Sequence, residues 1–120
     1  MIVKYSKHGR GVYATRNHKK GSVVEFADVI IFPQDEVKRY GILSFYVYEW
    51  RNTSYAIGLG FSSLYNHSLR PNLVIQRNYA AIQLEFIAKR DIKNGEELRI
   101  NYGYSRMLSK NKAKFARGEI

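Results

Sequence analysis

Apolar residues along this chain come in short β-branched or aromatic runs, broken by Gly, Asn and Pro. No stretch keeps the helical period long enough for a long amphipathic helix. Nothing recurs at the spacing of about 20–50 residues that marks a solenoid. The pattern predicts strands. Val12–Thr15 is one, after a Gly9-Arg10-Gly11 turn. Val23–Phe32 is another, stopped at Pro33. Its acids, Glu25 and Asp28, break strict alternation, so this strand is expected to bend or to be covered on both faces. Phe45–Trp50, Tyr55–Leu59, Leu73–Ile75 and Ala80–Ile87 read as further strands, the last two joined around Arg77-Asn78. Lys93-Asn94-Gly95 is a tight turn whose Asn-Gly pair accepts positive φ. Leu98–Tyr102 is a final short strand. Asp35–Tyr40 and Phe61–Tyr65 read as single helical turns. Many short strands joined by turns predict a mostly-β domain.

The length, 120 residues, allows one domain, and 45% hydrophobic residues allow it a core. With no cysteine, a disulfide scaffold, a thiolate zinc site and a cysteine nucleophile are excluded. The three histidines are too scattered to read as a metal site. No apolar run reaches the roughly 18 residues of a membrane span, and Met1-Ile2-Val3-Lys4 does not open a signal peptide. The expectation is a soluble, intracellular protein that is not secreted.

The formal charge of +10 first suggests nucleic acid. Its distribution weakens that reading. Residues 1–20 carry six basic side chains and no acid, residues 106–120 carry five basic and one acidic, and the stretch between is neutral. Ten tyrosines suit strands and cavity rims, where the ring packs and the hydroxyl stays paired.

Three motifs carry chemistry. Gly9-Arg10-Gly11 lets backbone approach a ligand closely, although such a pair is more often an ordinary hairpin turn. Asn66-His67-Ser68, followed by Pro71-Asn72, offers an amide with both donor and acceptor, yet a capped loop explains it as well. Glu96 and Glu97 are adjacent, so a strand would point them to opposite faces. They are a poor acid/base pair, and surface solvation is the better account of them. Tyr102, before Gly103, stands where a phenol could line a cavity.

In order, these blocks read His8-Gly-Arg-Gly-Val-Tyr-Ala, Lys20-Gly-Ser-Val-Val-Glu, Asn66-His-Ser-Leu-Arg-Pro-Asn and Phe86-Ile-Ala-Lys-Arg-Asp-Ile-Lys-Asn-Gly-Glu-Glu-Leu-Arg-Ile-Asn-Tyr-Gly. From about residue 3 to 104, the chain resembles the SET domain of protein-lysine methyltransferases. The resemblance implies a β-clip-like fold of small curved sheets, with few short helices and a C-terminal pseudoknot where the Asn-His-Ser segment meets the segment ending in Tyr102. It implies transfer of a methyl group from S-adenosylmethionine to a lysine ε-amine. Gly9, Arg10 and Gly11 would cradle the methionine part of that cofactor, with Val12 and Tyr13 continuing the wall. Asn66 would hold its amino-acid end, His67 would contact its adenine through backbone, and Tyr104 would help close over it. Tyr102 would be the catalytic tyrosine. The lysine channel would include Tyr102, Ile100 and Tyr46, with Tyr48 competing for the place of Tyr46.

Ile100 lacks the hydroxyl that limits methyl addition in other members, so the resemblance extends to di- and trimethyl-lysine. Leu69 and Leu73 replace two zinc-binding cysteines of larger members, so no metal is expected. Ser63 stands where many members have Arg. This stripped form resembles minimal SET proteins of large viruses and some bacteria, some of which methylate histones as dimers. The expected partner is a lysine-bearing protein tail, a histone, which would place the enzyme in the nucleus; another substrate would place it in the cytoplasm. Homodimerisation, and non-specific nucleic-acid contact through the basic ends, are further expectations. A basic tail calls for an acidic groove, for which Glu25, Asp28, Asp35, Glu36 and Glu49 are the candidates. The SET domain would span 1–105. The basic segment 106–120 would be a helix, a lid over the cofactor or a tail. The rival readings are a SET-like binding module without catalysis and a basic β-domain that binds nucleic acid through its tyrosines. Retention of both Asn66 and Tyr102 favours the enzyme.

Overall fold

The computed structural model describes residues 1–7, 9–38 and 41–104. His8, positions 39 and 40 of the expected 35–40 turn, and the basic segment 106–120 lie outside the described residues. Nine strands occupy the rest: β1 Ile2–Ser6, β2 Gly9–Tyr13, β3 Val23–Pro33, β4 Val47–Arg51, β5 Ser54–Gly58, β6 Asn66–His67, β7 Leu73–Asn78, β8 Gln83–Ala88 and β9 Glu97–Ile100. Three single turns of 3-10 helix cover Gln34–Glu36, Ile42–Phe45 and Tyr102–Tyr104. The architecture is mostly β, as expected.

One sheet runs β4-β5-β3-β8-β7. Its central strand, β3, is long enough to serve two partners in succession. Val23–Asp28 pair with β8, and Val29–Pro33 pair with β5. A bulge between Val23 and Glu25 shifts the register, which is the bend that the misplaced acids foretold. β8 alternates strictly, burying Leu84, Phe86 and Ala88 on one face.

The other sheet runs β1-β2-β9-β6. Here the glycine motif lies inside β2 and not in a turn before it, because β1 supplies a partner all along Gly9–Tyr13. Sequence patterning missed β1, since four of its five residues are exposed and show no alternation. It also missed β6, two residues that pair in parallel with β9, Asn66 opposite Arg99 and His67 opposite Ile100. The two segments that the expected pseudoknot requires therefore lie side by side. The β7–β8 connection is Tyr79–Ile82, later than the Arg77-Asn78 expected, because both of those residues still pair across the ladder. β9 ends at Ile100, so Tyr102 opens a 3-10 turn and does not close a strand. The 61–65 segment is a tight turn, with the Leu64 N–H donating to the Phe61 carbonyl at 2.9 Å. The 93–95 turn forms as read, with Gly95 at φ +94°.

One apolar core joins the sheets. Val12, Leu98 and Ile100 face Tyr48, Leu84 and Phe86, all fully buried. Each such side chain contributes about 1.5–3 kcal/mol on burial.

The Asn72 side chain, 3% exposed, seals the junction of β9. Its Nδ2 donates to the Glu97 carbonyl at 2.8 Å, and its Oδ1 accepts from the Arg99 N–H at 2.9 Å. Asn72→Ala leaves both backbone groups without this partner, at about 2–3 kcal/mol together. Thermal melting is expected to drop by about 10 °C. A melting point within about 2 °C of wild type would show that β9 is held by other means.

Candidate active site

A cavity of about 640 Å³ opens where β2, β6 and β9 meet the 42–46 segment. That volume falls within the roughly 300–1,000 Å³ usual for small-molecule sites. Arg10 and Tyr13 come from β2, and Tyr46 comes from the end of the 42–45 turn. Asn66 and His67 are β6 itself, while Glu97 and Arg99 project from β9. The alternation of β9 explains the last pair: Leu98 and Ile100 are buried in the core, so Glu97 and Arg99 take the opposite face.

Polar groups converge at one end. The Asn66 Nδ2 donates to the Arg10 carbonyl at 2.7 Å and to Glu97 Oε2 at 2.8 Å. Arg99 donates to the other Glu97 oxygen at 2.7 Å. Gly11 makes this possible. A Cβ there would stand 2.6 Å from Glu97 Oε2 and 3.2 Å from Asn66 Nδ2. An amide N–H pair thus sits between a carbonyl and a carboxylate, an acceptor set suited to an ammonium group. This fits the amino-acid end of S-adenosylmethionine.

Tyr102 lines the same cavity and is only 3% exposed. Its hydroxyl donates to the Tyr65 carbonyl at 2.7 Å. Its backbone N–H donates to His67 Nδ1 at 3.0 Å, with the two rings 5.0 Å apart. His67 therefore uses its side chain to hold Tyr102. Tyr65 is fully buried, and its phenol donates to Glu25 Oε1 at 2.6 Å. Glu25 Oε2 accepts the Phe61 N–H at 2.8 Å. Burial pushes the Glu25 carboxyl above its ordinary value, against the opposing pull of Tyr65, the Phe61 N–H and the N-terminus. Burial and the nearby carboxylate push the Tyr65 phenol far up.

Of the residues singled out from sequence, Gly9, Arg10, Tyr13, Tyr46, Asn66, His67 and Tyr102 meet at the cavity. Gly11 lies beneath Glu97. Val12 and Ile100 are fully buried in the core and do not line the cavity. The Tyr104 backbone closes the last 3-10 turn, and its side chain lies outside what is described. Tyr48 does not line this cavity. It is fully buried, donates to the Ser62 carbonyl and packs edge-on against Phe86. The reason is local: Tyr48 sits in β4 facing the core, while Tyr46 precedes the strand at φ −121°, ψ −2°. Ser63, where other members carry Arg, donates to the Gly58 carbonyl at 2.8 Å and lines the cavity.

The acidic candidates fare differently. None of Glu25, Asp28, Asp35, Glu36 and Glu49 lines the cavity. Glu25 is 9% exposed, pulled inside by its hydrogen bonds, and Asp28 accepts from the Gln83 side chain. The acid at the cavity is Glu97, which surface solvation had seemed to explain. Glu96 does take the other course: it accepts from the Lys93 N–H and from Arg90, which hold its carboxyl below the ordinary value. The pairing of Glu97 with Tyr13 across β2 decides the matter, and no local pattern announces it.

The SET domain family matches residues 9–103. A fission yeast protein (Schizosaccharomyces pombe) named histone-lysine N-methyltransferase, H3 lysine-37 specific, is 30% identical over 100 residues, covering 81% of this chain and 68% of its own length. A Plasmodium falciparum variant-silencing SET domain-containing protein is 30% identical over 121 residues, which cover 87% of this chain and only 5% of that protein. The crystal structure of a candidate histone methyltransferase from the same parasite superposes with a TM-score of 0.69 at 24% identity, covering 86% of this chain and 96% of that one. That likeness shows the fold.

The raised Glu25 carboxyl has a consequence for stability. The folded state holds this proton more tightly than the unfolded chain does. Its contribution is present below the ordinary value of 4.5 and is lost as pH climbs through the higher folded value. Glu25→Gln should remove that share of the decline. In urea melts taken across rising pH, the variant should lose less stability than wild type above pH 4.5. Parallel curves would contradict the assignment.

Proposed function

The chain belongs to the SET domain family, and from that premise we propose that it is an S-adenosylmethionine-dependent protein-lysine methyltransferase acting on histone tails. One observation carries the reading. Tyr102 and the cluster in which the Asn66 amide donates to the Arg10 carbonyl and to Glu97 open into a single cavity. The naming of the fission yeast relative supports a histone substrate, and hence a nuclear place of action.

The Arg10 carbonyl, Asn66 and Glu97 would hold the amino-acid end of the cofactor, with the carbonyl and carboxylate oxygens facing its ammonium group. When bound, S-adenosylmethionine supplies an electrophilic methyl group on a sulfonium. The remaining work belongs to the chain. A lysine amine attacks only when neutral, and its free pKa is about 10.4. Phe45, Tyr46 and Tyr13 wall the cavity with rings. Such walls attract the incoming ammonium through their faces. They also withdraw it from water, which favours loss of its proton. The Tyr102 hydroxyl donates its own proton to the Tyr65 carbonyl, so it meets a substrate amine only as an acceptor. It thereby orients the amine N–H and turns the nitrogen lone pair toward the reacting carbon. Catalysis on this reading is alignment and electrostatics. Ile100 is buried behind the cavity and does not line it, so position 100 sets no hydroxyl beside the amine, and the reading extends to di- and trimethyl-lysine.

Incubation with labelled S-adenosylmethionine and core histones tests this. Label should enter histone, and mass spectrometry should find di- and trimethylated lysine. Tyr102→Phe should lower transfer by about 100-fold or more, while cofactor affinity by calorimetry stays within about threefold. Unlabelled histones, or a variant as active as wild type, would overturn the reading.

A further inference from the structure

We propose that Glu25 and Tyr65 are a positioning pair that fixes the Tyr102 hydroxyl from behind the cavity wall. The inference rests on the reading of Tyr102 as the catalytic tyrosine. It concerns a buried carboxylate that the mechanism above does not use.

The geometry is a continuous chain of hydrogen bonds. Tyr102 donates to the Tyr65 carbonyl at 2.7 Å, and the phenol of the same Tyr65 donates to Glu25 at 2.6 Å. Tyr65 is thus tied at both ends. Its backbone receives the catalytic hydroxyl, and its side chain is anchored in the opposite sheet. The second Glu25 oxygen accepts the Phe61 N–H, which holds the turn leading into Tyr65. One carboxylate therefore controls both the side chain of Tyr65 and the backbone that approaches it. Gly60 leaves room for this, since a Cβ there would stand 2.5 Å from Glu25 Oε2. The β3 bulge lies directly before Glu25, a feature that re-aims side chains.

Burying a carboxylate costs free energy that an apolar residue in the same place would not incur. Its return here is geometric. The carbonyl that receives the Tyr102 proton is held where that hydroxyl must point. A hydroxyl displaced by a fraction of an ångström misaligns the amine it orients. Neither Glu25 Oε1 nor the Tyr65 phenol needs to touch a substrate for this effect.

Tyr65→Phe is the decisive variant. It keeps the ring, whose centroid lies 4.8 Å from that of Phe86, and it keeps the carbonyl, so the fold is preserved. Methyl transfer should show kcat reduced by about 5–20-fold, with KM and cofactor affinity changed by less than about twofold. Glu25→Gln should act in the same direction. On a Tyr102→Phe background the further loss should vanish, since positioning a missing hydroxyl is worth nothing. In parallel, the ¹³Cζ resonance of Tyr102 should move in both single variants. A kcat within about twofold of wild type, or a loss that persists undiminished on the Tyr102→Phe background, would overturn the pair. Should wild type neither bind the cofactor nor transfer methyl groups, the enzymatic reading fails by itself. The Tyr102 resonance then decides the positioning alone: movement supports it, and an unmoved signal refutes it.

Discussion

The double pairing of β9 is the constraint from which the rest of the site follows. Of its four residues, Glu97 and Leu98 pair antiparallel with β2, and Arg99 and Ile100 pair parallel with β6. A strand so short has little stability alone. It is secured from below by Leu98 and Ile100 in the core, and across its backbone by the Asn72 amide. With β9 fixed, Glu97 is set beside Asn66 and above Gly11, and Tyr102 emerges two residues beyond the strand at the cavity wall. Parallel pairing of two such short segments cannot come from a local turn. It requires that the 66–72 segment and the C-terminal segment be brought together by the whole core.

The second organising fact is that the polar groups of the site are spoken for. The Tyr102 proton goes to Tyr65, the Tyr65 proton to Glu25, and His67 accepts the Tyr102 backbone N–H. Such a network cannot reorganise cheaply in a buried setting, because each broken bond leaves a polar group without its partner. That rigidity suits a reaction governed by alignment. The same economy accounts for the charge: the basic residues near the N-terminus flank a site whose own acid, Glu97, is already held by Asn66 and Arg99.

Much of this was readable in advance. β3, β4, β5 and β8 announce themselves through β-branched and aromatic runs, and the break in β3 through its misplaced acids. The glycine motif, Asn66 and Tyr102 were marked by residue type and order. Other features carried no such sign. β1 is an exposed edge strand, so its residues need not alternate. Tyr46 and Tyr48 share parity in sequence, yet Tyr46 follows the 42–45 turn outside β4 and lines the cavity, while Tyr48 lies within β4 and faces the core. Glu25 reads as a candidate for an acidic groove because nothing nearby in the chain reveals Tyr65, forty residues away.

Residue order therefore settled the fold class and the family, since these depend on local pattern and on the motifs themselves, and it marked several residues that folding brings to one cavity. Which carboxylate faces the cavity, which is buried behind it, and which tyrosine serves the core were settled by folding. Those outcomes depend on strand register and on hydrogen bonds between residues distant in the chain. A shift of one residue in register reverses the face of every side chain in a strand, and in β9 the pairing partners are residues 12–13 and 66–67, far from it in the chain.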